Sequence, residues 1–247
     1  MTCWAAPSAS FPAVSGGEMV SSLLAVTCVT IAFCSNLLMV QDKVTGARRD
    51  LTISPVKSST LALSYYCSTL VSTLLICLIA AAVCLGYLAW VGWYLTAGNV
   101  ACLLLDVLLL VLFGTGLSSC IIFPMSTQGQ ATGVGTIVSA GYGFICGAYM
   151  PISQFSDGLQ KVISFLPGTY GTSLLRNHAL RGVFEEMAAQ GFPPEVIKAI
   201  KDSVDCNPYF FGKQVELGRM YGILTAAVLL TIGVYAALSV LQGRKRK

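Results

Sequence analysis

The chain has 247 residues, of which 55% are hydrophobic and only 11% charged, and its mean hydropathy is +0.74. A soluble domain carries roughly 25% charged residues, so a soluble core cannot absorb this much apolar surface and lipid must be the solvent. The net charge of +4 is modest, and Arg244, Lys245, Arg246 and Lys247 at the C-terminus read as a basic flank that fixes membrane orientation, not as a nucleic-acid-binding tail.

Residues 1–18 hold no Lys or Arg and lack the basic start and apolar centre of a signal peptide. They read as an outer loop feeding directly into a span. The first span is 19–40, which carries no charge. At 1.5 Å per residue it reaches about 33 Å, enough for the hydrocarbon core. Four further spans follow at 61–86, 99–123, 132–150 and 220–241. The fold class is therefore an all-α integral membrane protein with five predicted spans. Short amphipathic or re-entrant helices are expected between the last two. The membrane-spanning body is 19–247, preceded by the segment 1–18. Five spans with the N-terminus outside leaves two readings open: a genuine five-span chain, or one lacking an upstream span.

The segment 41–57 between the first two spans holds four of the 15 Lys and Arg residues. By the positive-inside rule it lies on the cytoplasmic side. The alternation then puts 87–98 and 151–219 outside, and 124–131 and the C-terminus inside. Tyr87, Trp90, Trp93 and Tyr94 read as an outer aromatic belt, Tyr65 and Tyr66 as an inner one. Residues 44–51 can form about two helical turns. Ser54-Pro55 stops them, because proline lacks an N–H and disfavours helix in the residue before it. A charged patch of Arg48, Arg49 and Asp50 on such a helix is a handle for a cytosolic partner; the plainer reading is a snorkelling flank.

The stretch 151–219 has helical periodicity in three places. Leu159, Val162, Ile163 and Leu166 share one face, bracketed by Pro151 and Pro167. Leu174, Leu175, Val183, Phe184 and Met187 repeat the pattern over 173–187. Pro193-Pro194-Glu195-Val196 opens a third helix. The first two are too short to span, and are expected at the outer surface or dipping into the membrane against the bundle.

Eight of the ten cysteines lie in apolar runs, where Cys packs as a small apolar residue. There is no CxxC pair, and the single His178 cannot complete a zinc site with scattered thiols. Neither GxxxxGK[ST] nor GxGxxG after a strand occurs, so the chain has no P-loop of its own. A membrane hydrolase needs a nucleophile and a base within the bundle, and no span carries a histidine. Gly114, Gly116, Gly133 and Gly135 read as packing glycines. The Gly143/Gly147 step allows close helix approach. Asp106 is the one ionisable residue deep inside a span. It marks either a substrate or ion path or a hydrogen bond to a neighbouring helix's Ser, Thr or Tyr.

Two stretches carry a family resemblance. The run Asp42-Lys-Val-Thr-Gly46-Ala-Arg-Arg49-Asp-Leu-Thr-Ile-Ser-Pro55-Val56 resembles the cytoplasmic coupling helix of type-2 ABC exporter permeases. The run Tyr142-Gly-Phe-Ile-Cys-Gly147-Ala-Tyr-Met-Pro151, followed by Phe165-Leu-Pro167-Gly-Thr-Tyr170 and Leu175-Arg176, resembles that family's penultimate span and re-entrant outer helices. Members have six spans with both termini in the cytosol; this chain matches the second to the sixth. The resemblance implies a bacterial cell-membrane permease, multi-pass with a cytoplasmic C-terminus. It would pair with a second permease copy or a homologous permease, in membrane lipid, above a cytosolic ABC ATPase subunit. Val44, Thr45, Gly46, Arg48, Arg49, Asp50 and Leu51, ended by Pro55, would sit in the ATPase groove. Pro151, Phe165, Leu166, Pro167, Tyr170 and Arg176 would form the outer re-entrant region. The chain itself would bind no cofactor and catalyse nothing, with ATP-Mg held by the partner subunit. The cargo would be amphipathic, lipid-like, a drug or a peptide. The alternatives are an ion-coupled carrier using Asp106 and a non-transporting membrane partner subunit.

Overall fold

The computed structural model describes residues 6–47, 58–210 and 213–244. Their helices are α1 (Ala6–Thr45), α2 (Ser58–Val91), α3 (Ala97–Ile122), α4 (Gln128–Ile145), α5 (Asp157–Ile163), α6 (Pro167–Ala189), α7 (Pro194–Ser203) and α8 (Leu217–Arg244). A 3-10 turn at Ile152–Gln154 precedes α5, and a two-stranded antiparallel hairpin, β1 (Tyr209–Phe210) and β2 (Lys213–Gln214), precedes α8.

Four of these helices are long and apolar enough to cross a membrane: α1 from Pro12, α2 from Thr60, α3, and α8 to Leu241. The predicted span 132–150 is not among them. It is α4, of 18 residues, and it ends at Ile145 because Gly147 turns the chain with φ +74. A side chain rarely adopts that left-handed conformation, so glycine stops the helix there. The segment 1–18, expected as a loop, is helical from Ala6 onward as the start of α1. Residues 44–45 also belong to α1 and do not begin a separate helix. The break falls at Gly46, with φ +88.

Helix α1 is the centre of the bundle and packs against α2, α3, α4 and α6. Helix α3 adds contacts with α2, α6 and α8. The close α1–α3 crossing needs Gly114, where a Cβ would sit 3.1 Å from the Cys28 carbonyl oxygen and 3.3 Å from the Val29 Cα. Gly116 likewise faces Thr231 of α8, and Gly135 faces Phe33, whereas Gly133 faces open space. A polar tie joins α1, α2 and α3. Asn36 Nδ2 donates to Ser118 Oγ (3.1 Å) and Ser119 Oγ (2.9 Å), and Thr69 Oγ1 reaches Asn36 Oδ1 at 3.5 Å. In hydrocarbon such groups must find partners within the protein.

Helix α6 is the departure from a simple bundle. It has 23 residues, 16 of them buried, and it inserts between α1, α3 and α8. Its predicted apolar face is all buried: Leu174, Leu175, Val183, Phe184 and Met187. Gly171 meets Leu110, and Gly182 lies against the Tyr94 backbone. Trp90 and Trp93 are exposed at the same end of the bundle. At the opposite end Tyr66 is buried and Tyr65 is held by a carboxylate, so this pair packs into the protein and does not form a belt.

Candidate functional site

The α1–α2 junction was the leading sequence candidate. Arg48, Arg49, Asp50, Leu51 and Pro55 lie outside the described residues. Val44, Thr45 and Gly46 are described and sit at the tip of α1. Val44 is exposed, and the Thr45 hydroxyl donates to the Gln41 carbonyl at 3.0 Å. The turn just before them is anchored. Lys43 Nζ donates to the carbonyl oxygens of Phe123 (2.5 Å) and Met125 (2.9 Å), at the C-terminal end of α3. Carbonyls there lack intrahelical donors and carry the negative end of the helix dipole, so an ammonium fits. Asp42 Oδ2 accepts from the Tyr65 hydroxyl at 2.8 Å. Phe123 packs edge-to-face on Tyr235 at 5.4 Å, and the Tyr235 hydroxyl donates to the Ala62 carbonyl at 2.8 Å. The last turn of α1 is thus linked by side chains to α2 and α3, and through Phe123 to α8.

The second region is the seat of α6. Pro151 precedes the 3-10 turn, Leu166 caps α6 and Pro167 opens it. Proline suits a first helical position because its missing N–H would have no helical acceptor. Phe165 is exposed, with its ring edge-to-face on Phe210 at 5.4 Å. Tyr170 is buried, and its hydroxyl donates to the Ser164 carbonyl at 2.6 Å; Thr169 Oγ1 donates to the Ile163 carbonyl at 3.1 Å. These two bonds tie the first turn of α6 to the carbonyls at the end of α5, where Ile163 also accepts from the Leu166 amide at 2.9 Å.

Arg176 is 1% exposed. Its guanidinium donates to Asp205 Oδ2 (3.2 Å), to Ser22 Oγ (3.0 Å) and to the Gly147 carbonyl. The Ile152 amide donates to the same Asp205 oxygen at 2.6 Å. One arginine therefore joins α6 to α1, to the turn after α4 and to the loop after α7. Burial raises the Asp205 carboxyl above its ordinary range, while the Ile152 amide and Arg176 pull it back. The neighbouring Cys206, whose carbonyl accepts from Asn177, has its thiol pushed up to about 12, chiefly by burial.

Asp106 of α3 meets α6 two residues beyond Arg176, at His178, and is fully buried. His178 Nδ1 is 2.5 Å from its Oδ2, and the Tyr221 hydroxyl donates to its Oδ1 at 2.5 Å. The expected partner type, a tyrosine on another helix, is present. His178 is a partner that the sequence reading missed, having set it outside the bundle. The available signal was the run 167–182, where Gly168, Gly171, Ala179 and Gly182 punctuate an otherwise polar helix. Such small residues permit burial between helices. An uncompensated carboxylate at a helix centre costs about 2.5–3.5 kcal/mol on insertion scales, so Asp106 required nearby donors. Among the described residues, no group of three His, Cys, Asp or Glu side chains is arranged to hold a metal ion.

A third feature is an open, mainly apolar groove of about 400 Å³ between α1 and α4. Phe33, Cys34 and Leu37 line one wall, and Ala131, Gly135 and Thr136 the other.

The long apolar helices, the inserted α6 and the groove describe a multi-pass membrane protein. Comparison with protein families decides which one: the model described as "ABC-2 family transporter protein" matches residues 13–241. The chain belongs to the ABC-2 transporter family. It is a membrane permease of an ABC transporter, a transmembrane subunit of a kind that generally pairs with an ABC ATPase. None of the curated proteins compared with the sequence matches it. Within this ABC-2 permease, the family match takes in α6 and both of its buried anchors, Arg176–Asp205 and His178–Asp106, so these belong to the permease fold and not to an appended domain.

Proposed function

We propose that this chain is the permease subunit of an ATP-driven exporter, dimerising and drawing its work from a separate cytosolic ATPase that holds ATP-Mg. The observation that carries the reading is the family match over 13–241, combined with the basic segment 41–57 that begins in the last turn of α1. In this reading Val44, Thr45, Gly46, Arg48, Arg49, Asp50 and Leu51, bounded by Pro55, engage the ATPase on the cytoplasmic side. The C-terminal basic tail lies on the same side, consistent with the positive-inside rule. Closure of the ATPase dimer around nucleotide would favour one arrangement of the helices, and release the other. The α1–α4 groove is the described surface best suited to an amphipathic, lipid-like, drug or peptide cargo, or to the second permease copy, because it is wide, apolar and open.

Asp106 gives little support to an ion-coupled carrier. Both its oxygens are occupied by His178 and Tyr221, and its role in this reading is to hold α6. Reversing the charge at Arg48 and Arg49 (Arg48→Glu with Arg49→Glu) tests the coupling. The expected result is a protein that still inserts in the membrane but no longer co-purifies with an ATPase. Undiminished co-purification would refute the docking role.

A further inference from the structure

Three features of the fold bear on how movement enters the bundle. First, Lys43 stands between two helix C-termini, its own at Thr45 and that of α3 at Ile122, and bonds across to the second. Second, its two acceptors straddle a boundary: Phe123 closes α3, whereas Met125 belongs to the short linker that starts α4. Third, α4 is the most loosely held of the long helices. Its extensive packing is against α1 alone. At its far end Tyr142 donates to the Gly168 carbonyl at 3.3 Å, fixing that end to the first turn of α6. The near end begins at a cap made by Thr127, two residues beyond Met125.

A helix fixed at one end, with its other end tied to a neighbour's lysine, is a lever. We propose that Lys43 is a positioning residue that carries displacement of the last turn of α1 into the α3–α4 linker, so that α4 swings on α1 and alters the width of the groove between them. This rests on the ATP-driven reading above for the source of the displacement. The chemistry favours Lys over an apolar residue because one ammonium, with three donors, holds both carbonyls at once. The ring of Phe123, 5.5 Å from Nζ, adds a cation–π contact on the same residue that Lys43 holds through its carbonyl.

The test uses inside-out vesicles from the cells that make the protein, with its ATPase present. Cys34 on one wall of the groove is native, exposed and free, and Thr136→Cys supplies a thiol on the other. Cys67→Ser removes the other exposed thiol among the described cysteines. A short thiol-specific bifunctional reagent joins the two walls, and mass spectrometry measures the joined peptides with and without Mg-ATP plus vanadate. The expected result in otherwise unaltered protein is a change in yield of about twofold or more on trapping nucleotide, as a shift between two populated arrangements requires. Lys43→Met removes that change, and Lys43→Arg, which keeps the charge and the donors, retains it. If Lys43→Met does not accumulate in the membrane, Lys43→Gln decides the same question. A nucleotide response that survives in both neutral variants overturns the role of Lys43 and leaves the ATP-driven reading standing. A groove that ignores nucleotide even with Lys43 intact overturns the lever, while loss of the ATP-driven reading is read separately from the ATPase co-purification of the unaltered protein.

Discussion

Helices α2 and α6 are opposites. Helix α2 is strongly apolar, and most of its surface faces away from the protein: Leu63, Val71, Leu75, Ile76, Ile79 and Val83 are all exposed. What it buries is one narrow stripe of Ala62, Tyr66, Thr69, Thr73, Cys77, Ala81 and Leu88, at steps of three, four or seven. Helix α6 is far more polar, yet nearly all of it is inside, including Thr169, Thr172, Ser173, Arg176 and His178. In a bilayer, hydropathy reports which residues meet lipid, and a helix enclosed by other helices is free of that demand. It must instead supply partners for every polar group. The two helices therefore fail by different routes.

The largest expected effect is on α6. Arg176→Ala leaves Asp205 buried without its cation and Gly147 without its donor, and should cost about 3–5 kcal/mol. Denaturant unfolding in detergent micelles measures it; a cost near zero would mean that α6 is not held by this pair. Next comes Asp106→Asn. One oxygen remains to accept, but the amide cannot serve both His178 and Tyr221 as acceptor. The same assay should report a loss of about 1–3 kcal/mol. The smallest effect is on α2. Ile79 is exposed, and Ile79→Ala should stay within about 0.5 kcal/mol. A larger loss would show that this face of α2 meets protein, and would erase the contrast.

This contrast also explains what was legible in the sequence. Helices α1, α2, α3 and α8 were visible because each has a lipid-facing side, and lipid selects unbroken apolar runs. Their ends were less visible. Nothing in the hydropathy of Glu18 or Pro12 marks helix continuing back to Ala6, and Val44–Thr45 looked like the start of something new until Gly46 proved to be the break. The span expected at 132–150 became the shorter α4, because Gly147 is a turn residue before it is a packing residue. The candidate sites divide in the same way. Asp106 stood out as a lone acid in an apolar run. His178 and Asp205 did not, because partners in space leave no mark on local composition. Arg176 was singled out through the family resemblance, and the fold supplies the reason: three elements meet on its guanidinium.

The surroundings of Cys206 have a practical consequence. A thiol reacts with alkylating agents and oxidants as its thiolate. This one is 1% exposed and stays protonated to about 12. Whichever aqueous compartment that loop faces, Cys206 should be left untouched. The remaining described cysteines all belong to α1–α4 or cap the end of α4. For thiol probes Cys206 is therefore silent, and the exposed Cys34 and Cys67 are the described thiols to replace before a single engineered cysteine reports sidedness.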